Sequence, residues 1–242
     1  MKVGLRVPFA GLTEGRLELP TDTAKYVFRV HRLRVGAGLQ LFDPEAGVEA
    51  SATVEEDFSL RVGPLAPAPV QALPIHLFQG VGKADKPEQV VRDVTVLGAE
   101  RLTLLHSSRS VAKSESDRRR QRLHRVAVES ARQCGRGRIP ELLGPLEWED
   151  GLARAGGELR VACVPKDGAP ALREVIDAGL TPGALPSIDV LIGPEGGLLS
   201  EEVQQAEAAG FVCVGLGPLV LRTETAATAV LGFLRLYLAT MA

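Results

Sequence analysis

The residues best placed to do chemistry lie between Leu191 and Ala226. Leu191-Ile192-Gly193-Pro194-Glu195-Gly196-Gly197 is followed by an acidic stretch, an apolar stretch, and then Gly215-Leu216-Gly217-Pro218-Leu219-Val220-Leu221-Arg222-Thr223-Glu224-Thr225-Ala226. Each half reads as a buried strand that runs into a Gly/Pro loop and then into a helix. In α/β proteins such loops let backbone N–H and C=O groups approach a small molecule closely. Neither loop carries the lysine and hydroxyl residue of a phosphate cradle, nor G-x-G-x-x-G, so a nucleotide held by its phosphates is not the expected ligand. Arg222 and Glu224 are the side chains with reactive potential. A guanidinium can donate a fork of hydrogen bonds to an oxygen that gathers negative charge. An ion pair with Glu224 or Glu195 is the alternative use of the same side chain. Glu224 is open to a role as base or as the group that orients Arg222, and Thr223 and Thr225 have the residue type of helix caps.

A second chemical pattern is charge. The net charge is −2, yet Arg109–Arg138 carries ten Lys/Arg against Glu115, Asp117 and Glu129, and Lys2–Arg34 carries seven against three. Two basic segments in a slightly acidic chain point to a positive face for a polyanion. The spacing predicts a helix over Asp117–Cys134 with an apolar stripe (Leu123, Val126, Ala127, Ala131, Cys134). Arg122, Arg125, Arg132 and Arg136 run beside it, where a phosphate backbone could lie. Pairing of Glu129 with Arg125 or Arg132 is the plainer use of the same residues. His31, His76, His106 and His124 lack the spacing of a metal site or a triad, and no metal is expected. Cys134, Cys163 and Cys213 read as free, mostly buried thiols.

These groups need a frame. Gly63–Pro74 holds four prolines in twelve residues, which suits an extended link between domains. Before it, Val3–Val7, Arg16–Leu19, Gly38–Phe42, Val48–Val54 and Phe58–Val62 alternate with turn signals, the rhythm of a small antiparallel barrel. Thr21–Arg34 interrupts them as a helix with Thr21 or Asp22 as cap. After it, strands (Ile75–Phe78, Leu102–Leu105, Leu159–Val164, Ile188–Ile192, Phe211–Leu216) alternate with helices (Pro87–Leu97, Asp117–Cys134, Pro170–Ala178, Glu201–Ala209, Thr225–Leu238). That alternation predicts an α/β domain with a mostly parallel sheet, in which 188–192 and 211–216 are central strands. Ser200 reads as a helix cap ahead of Glu201 and Glu202. The expected organisation is 1–66, a linker at 67–74, and 75–242. No apolar run has membrane-spanning length, and the first residues do not resemble a signal peptide, so a cytoplasmic protein is the expectation.

The pair Ile192-Gly193-Pro194-Glu195-Gly196-Gly197 and Leu216-Gly217-Pro218 with Leu221-Arg222-Thr223-Glu224-Thr225-Ala226 resembles the paired signature of bacterial 16S ribosomal RNA uridine-N3 methyltransferases, of the trefoil-knot (SPOUT) class. The resemblance implies a PUA-like RNA-binding barrel at 1–66, a knotted catalytic domain, S-adenosylmethionine as methyl donor, 16S rRNA in the small ribosomal subunit as substrate, and a homodimer. It implies a donor site at Val164, Pro165, Gly193, Pro194, Glu195, Gly196, Gly197, Leu216, Gly217, Leu221, Thr223 and Ala226. Arg222, with Glu224, would meet the uridine. Gly82–Lys86 resembles the family's lysine-rich turn, making Lys83 and Lys86 phosphate contacts, although Val96 replaces a usual glutamate. Glu129–Arg136 resembles the family's glutamate–glutamine–arginine pattern, which directs Gln133 and Arg136 to the RNA, and Arg32 keeps the arginine of the N-terminal match. A knotted enzyme acting on transfer RNA or on a ribose hydroxyl, and a non-catalytic RNA-binding assembly protein, are the alternatives.

Overall fold

The computed structural model describes residues 4–69, 73–82, 86–110, 117–180 and 185–239. The chain divides into two compact units, 1–71 with 128–139, and 72–127 with 140–242.

The first unit contains strands β1 (Arg6–Pro8), β2 (Gly15–Leu17), β3 (Gly38–Asp43), β4 (Val48–Val54), β5 (Leu60–Val62) and β6 (Ala66–Pro67). Its sheet runs β1-β3-β4-β5-β2, with β6 paired to β4. β1 lies parallel to β3, and the other pairs are antiparallel. The sheet is therefore open, with β1 and β2 at its edges, where a closed barrel was expected. Alternation along β4 puts Ala50, Ala52 and Val54 into a core with Val7, Leu41, Leu60 and Val62, as a one-sided sheet requires. The β3–β4 turn is set by Asp43, whose carboxylate accepts the N–H groups of Glu45, Ala46, Gly11 and Leu12. Burial opposes ionisation of Asp43, but these donors hold its carboxyl below the usual value.

The predicted helix at Thr21–Arg34 is shorter: α1 (Thr21–Ala24) runs into a π-helical turn, Lys25–Val30, and Pro20 rather than Thr21 or Asp22 precedes it. Proline suits the start of a helix because the N–H it lacks has no helical acceptor there. Part of the proline-rich stretch is strand, since Ala66–Pro67 adds to β4, an edge position that tolerates proline.

The second unit is built on β7 (Leu73–Gly80), β8 (Ala99–His106), β9 (Glu141–Glu147), β10 (Leu159–Cys163), β11 (Ile188–Ile192) and β12 (Val212–Val214). They pair in the order β12-β10-β11-β7-β8-β9, and every pair is parallel. Its helices are α2 (Lys86–Leu97), α4 (Trp148–Leu152), α5 (Leu172–Gly179), α6 (Ser200–Ala208) and α7 (Thr223–Ala239), while α3 (Asp117–Cys134) crosses the division between units. β11 is wholly buried in mid-sheet, but β12 is an edge strand with Val212 half exposed, not the central strand its apolar composition suggested. β9 and α4 were not foreseen. Gly144-Pro145 reads as a strand breaker, and β9 accommodates it by lying at the sheet edge. α6 starts at Ser200 after Leu199; Ser200 is not the cap, and Glu202 reaches back to the Leu199 N–H at 2.7 Å. α7 buries Ala226, Ala227, Val230, Leu231, Leu234 and Leu238 within its own unit and leaves Leu236 exposed. Among the described residues, no helix is long and apolar enough to cross a membrane.

Candidate active site

β12, β10 and β11 are neighbours and parallel, so the loops after Val214, Cys163 and Ile192 leave the same edge of the sheet. Ligands of open α/β sheets sit outside the carboxyl ends of the strands. A cavity of about 540 Å³ opens there. Val164 and Pro165 line it from the first loop, Gly193, Pro194, Glu195 and Gly197 from the second, and Leu216, Gly217, Leu221, Arg222, Thr223 and Ala226 from the third. Gly217 has φ +103, a conformation that favours glycine, and Leu219 and Val220 beyond it are 76% and 84% exposed. Gly196 stands apart from the lining: its carbonyl accepts Arg109 Nη1 at 2.7 Å.

Side-chain contacts pin the loops together. Thr223 Oγ1 donates to the Gly193 carbonyl at 2.6 Å and accepts from Gln79 Nε2 at 2.7 Å. Thr223 is the first residue of α7, so its hydroxyl joins two loops rather than capping the helix. At the end of β7, a Cβ on Gly80 would sit 2.5 Å from Pro194 N, so the second loop can lie against β7 only because position 80 has no side chain.

The charges are arranged around Lys86. Its Nζ lies 3.0 Å from Glu224 Oε2 and 3.3 Å from Glu195 Oε1. Lys86 thus faces inward onto carboxylates, contrary to its expected place on phosphate. Burial works against ionisation of Glu224, but its own backbone N–H, the Lys86 ammonium and the charge of Arg222 hold its carboxyl below the usual glutamate value. The hydrogen bond to Glu224, supported by Glu195, raises Lys86 above the ordinary lysine value despite burial. Arg222 is exposed and makes no hydrogen bond or ion pair among the described residues. Neither expected partner, Glu224 or Glu195, holds it. Burial, then Cys213, pushes the Cys163 thiol up to about 12, which leaves it inert at neutral pH. Cys213 is buried, Cys163 is half-buried with its thiol turned away from water, and Cys134 is exposed.

The basic candidates divide. Arg122 is exposed but paired with Glu88 at 2.8 Å, and Arg125 is exposed with Nε on the Gln121 carbonyl. Within the first unit, Arg132 binds Glu129 at 2.7 Å and the Tyr26 hydroxyl at 2.5 Å, while Gln133 is exposed. Arg32 is exposed at φ +55. Arg136 is 5% exposed and already engaged, so it is not a surface contact for phosphate; a buried guanidinium keeps its charge only with partners. Lys83 lies outside the described residues.

Gln79 and Arg109 were missed as site residues. Gln79 carried a readable signal, a polar residue at the carboxyl end of a buried parallel strand next to glycine. Arg109 carried none, since it finds Gly196 only through the fold. A second hollow of about 650 Å³ lies past β8 and β9, with Glu147, Glu149, Asp150 and Glu201 on its walls. Its acidity suits neither phosphate nor RNA. Among the described residues no His/Cys/Asp/Glu group has the geometry to hold a metal ion.

The apolar walls, glycine-rich backbone and volume of the first cavity fit a nucleoside-sized ligand without a phosphate chain. Residues 69–235 match the RNA methyltransferase domain family. Over 234 residues the chain is 30% identical to ribosomal RNA small subunit methyltransferase E of Synechocystis, covering 91% of this chain and 73% of that one. It is also 30% identical to the protein of the same name from Mycobacterium bovis, covering 87% and 82%. A Legionella pneumophila protein described as a methyltransferase, solved with the cofactor SAM bound, superposes with a TM-score of 0.81 at 28% identity, covering 97% of this chain and 98% of that one.

Proposed function

The chain belongs to the RNA methyltransferase family, among the ribosomal RNA small subunit methyltransferases E, and on that footing we propose that it transfers a methyl group from S-adenosylmethionine to N3 of a uridine in 16S ribosomal RNA. The observation that carries this reading is the cavity of about 540 Å³ at the ends of three parallel strands, with Arg222, which has no partner among the described residues, in its wall.

When bound, S-adenosylmethionine supplies a methyl group that its sulfonium already activates. The protein's part is to bind, to exclude water and to orient. Val164, Pro165, Leu216, Leu221 and Ala226 supply apolar wall, and the backbone of Gly193, Pro194, Glu195, Gly197 and Gly217 supplies polar groups at close approach. Gly196 supports the same loop through Arg109. N3 of uridine carries a proton and becomes nucleophilic as that proton passes to solvent, with negative charge spreading to the neighbouring carbonyl oxygens. Arg222 donates to one of these oxygens, where a fixed cation acts most strongly on the developing charge. Glu224 is ionised and committed to Lys86, so it positions the site rather than accepting the proton.

In the same reading, Arg32, Lys83, Arg122, Arg125, Arg132 and Gln133 meet RNA of an assembled small subunit. The unit at 1–66 serves as a PUA-like RNA-binding module, 67–74 as the link, and 75–242 as a knotted catalytic domain that works as a homodimer in the cytoplasm. The test is to incubate purified protein and labelled donor with small subunits from a strain lacking the gene, then identify the methylated nucleoside by mass. One N3-methyluridine is expected. A ribose methyl, or label on transfer RNA, would move the protein to a different target. No heat on titration with the donor would remove the enzyme reading altogether.

A further inference from the structure

We propose that Lys86 is a positioning residue for methyl transfer: by engaging Glu195 and Glu224 together, it keeps these two acids off Arg222 and leaves the guanidinium open to the substrate base. The inference rests on the role of Arg222 given above. Glu195 lines the same cavity as Arg222, and Glu224 is two residues along the chain and feels its charge. A guanidinium beside carboxylates ordinarily closes a fork-like pair with one of them. Here both acids turn to the ammonium instead, at 3.0 and 3.3 Å. Lysine suits the task, because a compact ammonium has three donors that can serve two carboxylates at once. The chain also leaves room for the arrangement. A Cβ on Gly82 would lie 3.1 Å from Glu195 Oε1 and 3.3 Å from Lys86 Cβ, so a side chain at 82 would crowd the pair. Lys86 is held protonated and Glu224 ionised, so the pairing persists at neutral pH.

The test uses full-length K86M, K86R, E224Q and K86M/E224Q. Without the ammonium, Glu224 is released to trap Arg222 two residues away, whereas Glu195 keeps a further partner. K86M should lower kcat on small subunits by about 10- to 100-fold, somewhat less than the loss of a whole oxyanion donor. Donor affinity by calorimetry should stay within about threefold, and K86M/E224Q should recover to within about threefold of E224Q, because the defect is a coupling between these groups. Independently of turnover, the Arg222 Nε–H followed by NMR should exchange with solvent more slowly in K86M than in wild type. K86R keeps a cation that can fork onto Glu224, so its loss of kcat should be smaller than that of K86M, with Arg222 exchanging as in wild type. The proposal is overturned by a folded K86M with wild-type turnover, by a double variant no better than K86M, by unchanged Arg222 exchange in K86M, by Arg222 protected in K86R, or by a fall in donor affinity large enough to explain the lost activity. If wild type transfers no methyl group, the functional reading fails, while the exchange measurement still decides whether Lys86 keeps Arg222 unpaired.

Discussion

Replacing Thr223 with valine removes one hydroxyl and almost no volume, and that hydroxyl links two loops of the site. It donates to the Gly193 carbonyl at 2.6 Å and accepts from Gln79 Nε2 at 2.7 Å, and both Thr223 and Gln79 are buried. Each lost hydrogen bond is worth about 1 kcal/mol net, and a buried group left without any partner costs about 1–3 kcal/mol. Neither group is fully stranded, however. Gln79 Nε2 keeps the Gly80 carbonyl at 3.3 Å and a longer approach to Gly193 at 3.5 Å. The loss should therefore lie near the lower end, about 2 kcal/mol. If it falls on the closed arrangement of the loops, donor affinity weakens by about 30-fold, at roughly 1.4 kcal/mol per decade. T223S keeps both hydrogen bonds and gives up only a methyl group, so it should cost less than about 1 kcal/mol. Calorimetric titration with S-adenosylmethionine, alongside thermal unfolding of both variants, measures the difference. Equal affinity and equal stability for T223V and T223S would refute the argument that this hydroxyl holds the site together.

Removing the guanidinium with R222A should lower kcat by about 100- to 1,000-fold with donor affinity changed only a few-fold, the pattern of an interaction made with developing charge; intact turnover in single-turnover assays would dismiss it. G80A puts a Cβ 2.5 Å from Pro194 N, and since backbone cannot yield cheaply it should lose about 1–3 kcal/mol in thermal unfolding and weaken donor binding. His76 is buried against Thr103, 3.9 Å from Asp189, and burial, then Arg101, lowers its pKa from 6.5 to about 4. Its folded value is depressed, so the unfolded chain binds the extra proton and stability falls as pH drops from about 6.5 to 4, by about 3 kcal/mol in all. The difference between wild-type and H76Q denaturation curves should show that slope, and parallel curves would contradict it. On RNA, R125A should weaken binding and reduce the salt slope by about one, because an exposed guanidinium on phosphate releases one counterion. R136A should destabilise the first unit instead, through its buried side chain.

Much of the frame was legible because parallel strands and amphipathic helices announce themselves by period. β11 and α3 have the predicted bounds, and most other elements of the second unit are displaced by a few residues. β9 was hidden by Gly144-Pro145, which reads as a break until its place at the sheet edge is known. β12 reads as a central strand because apolar composition does not separate burial between two neighbours from burial beside one. In the first unit, local alternation identified strands but carried no information on whether the sheet closes, since that depends on pairing between β1 and β2. The cavity-lining loops were readable as glycine and proline after strands. The contacts that assemble them were not, because Gln79 and Thr223 are 144 residues apart, as are few pairs that pattern can connect. Lys86 shows the same limit. As a sequence it is a cation in a basic turn, and only the fold brings two carboxylates to it.

Loops from three strand ends that enclose the methyl donor should show it peptide by peptide in hydrogen exchange measured with and without S-adenosylmethionine. Protection is expected at 164–167, 193–198 and 216–223, with the peptide around Glu149 and Glu201 unchanged. Protection at that acidic hollow, or none at the three loops, would contradict the account.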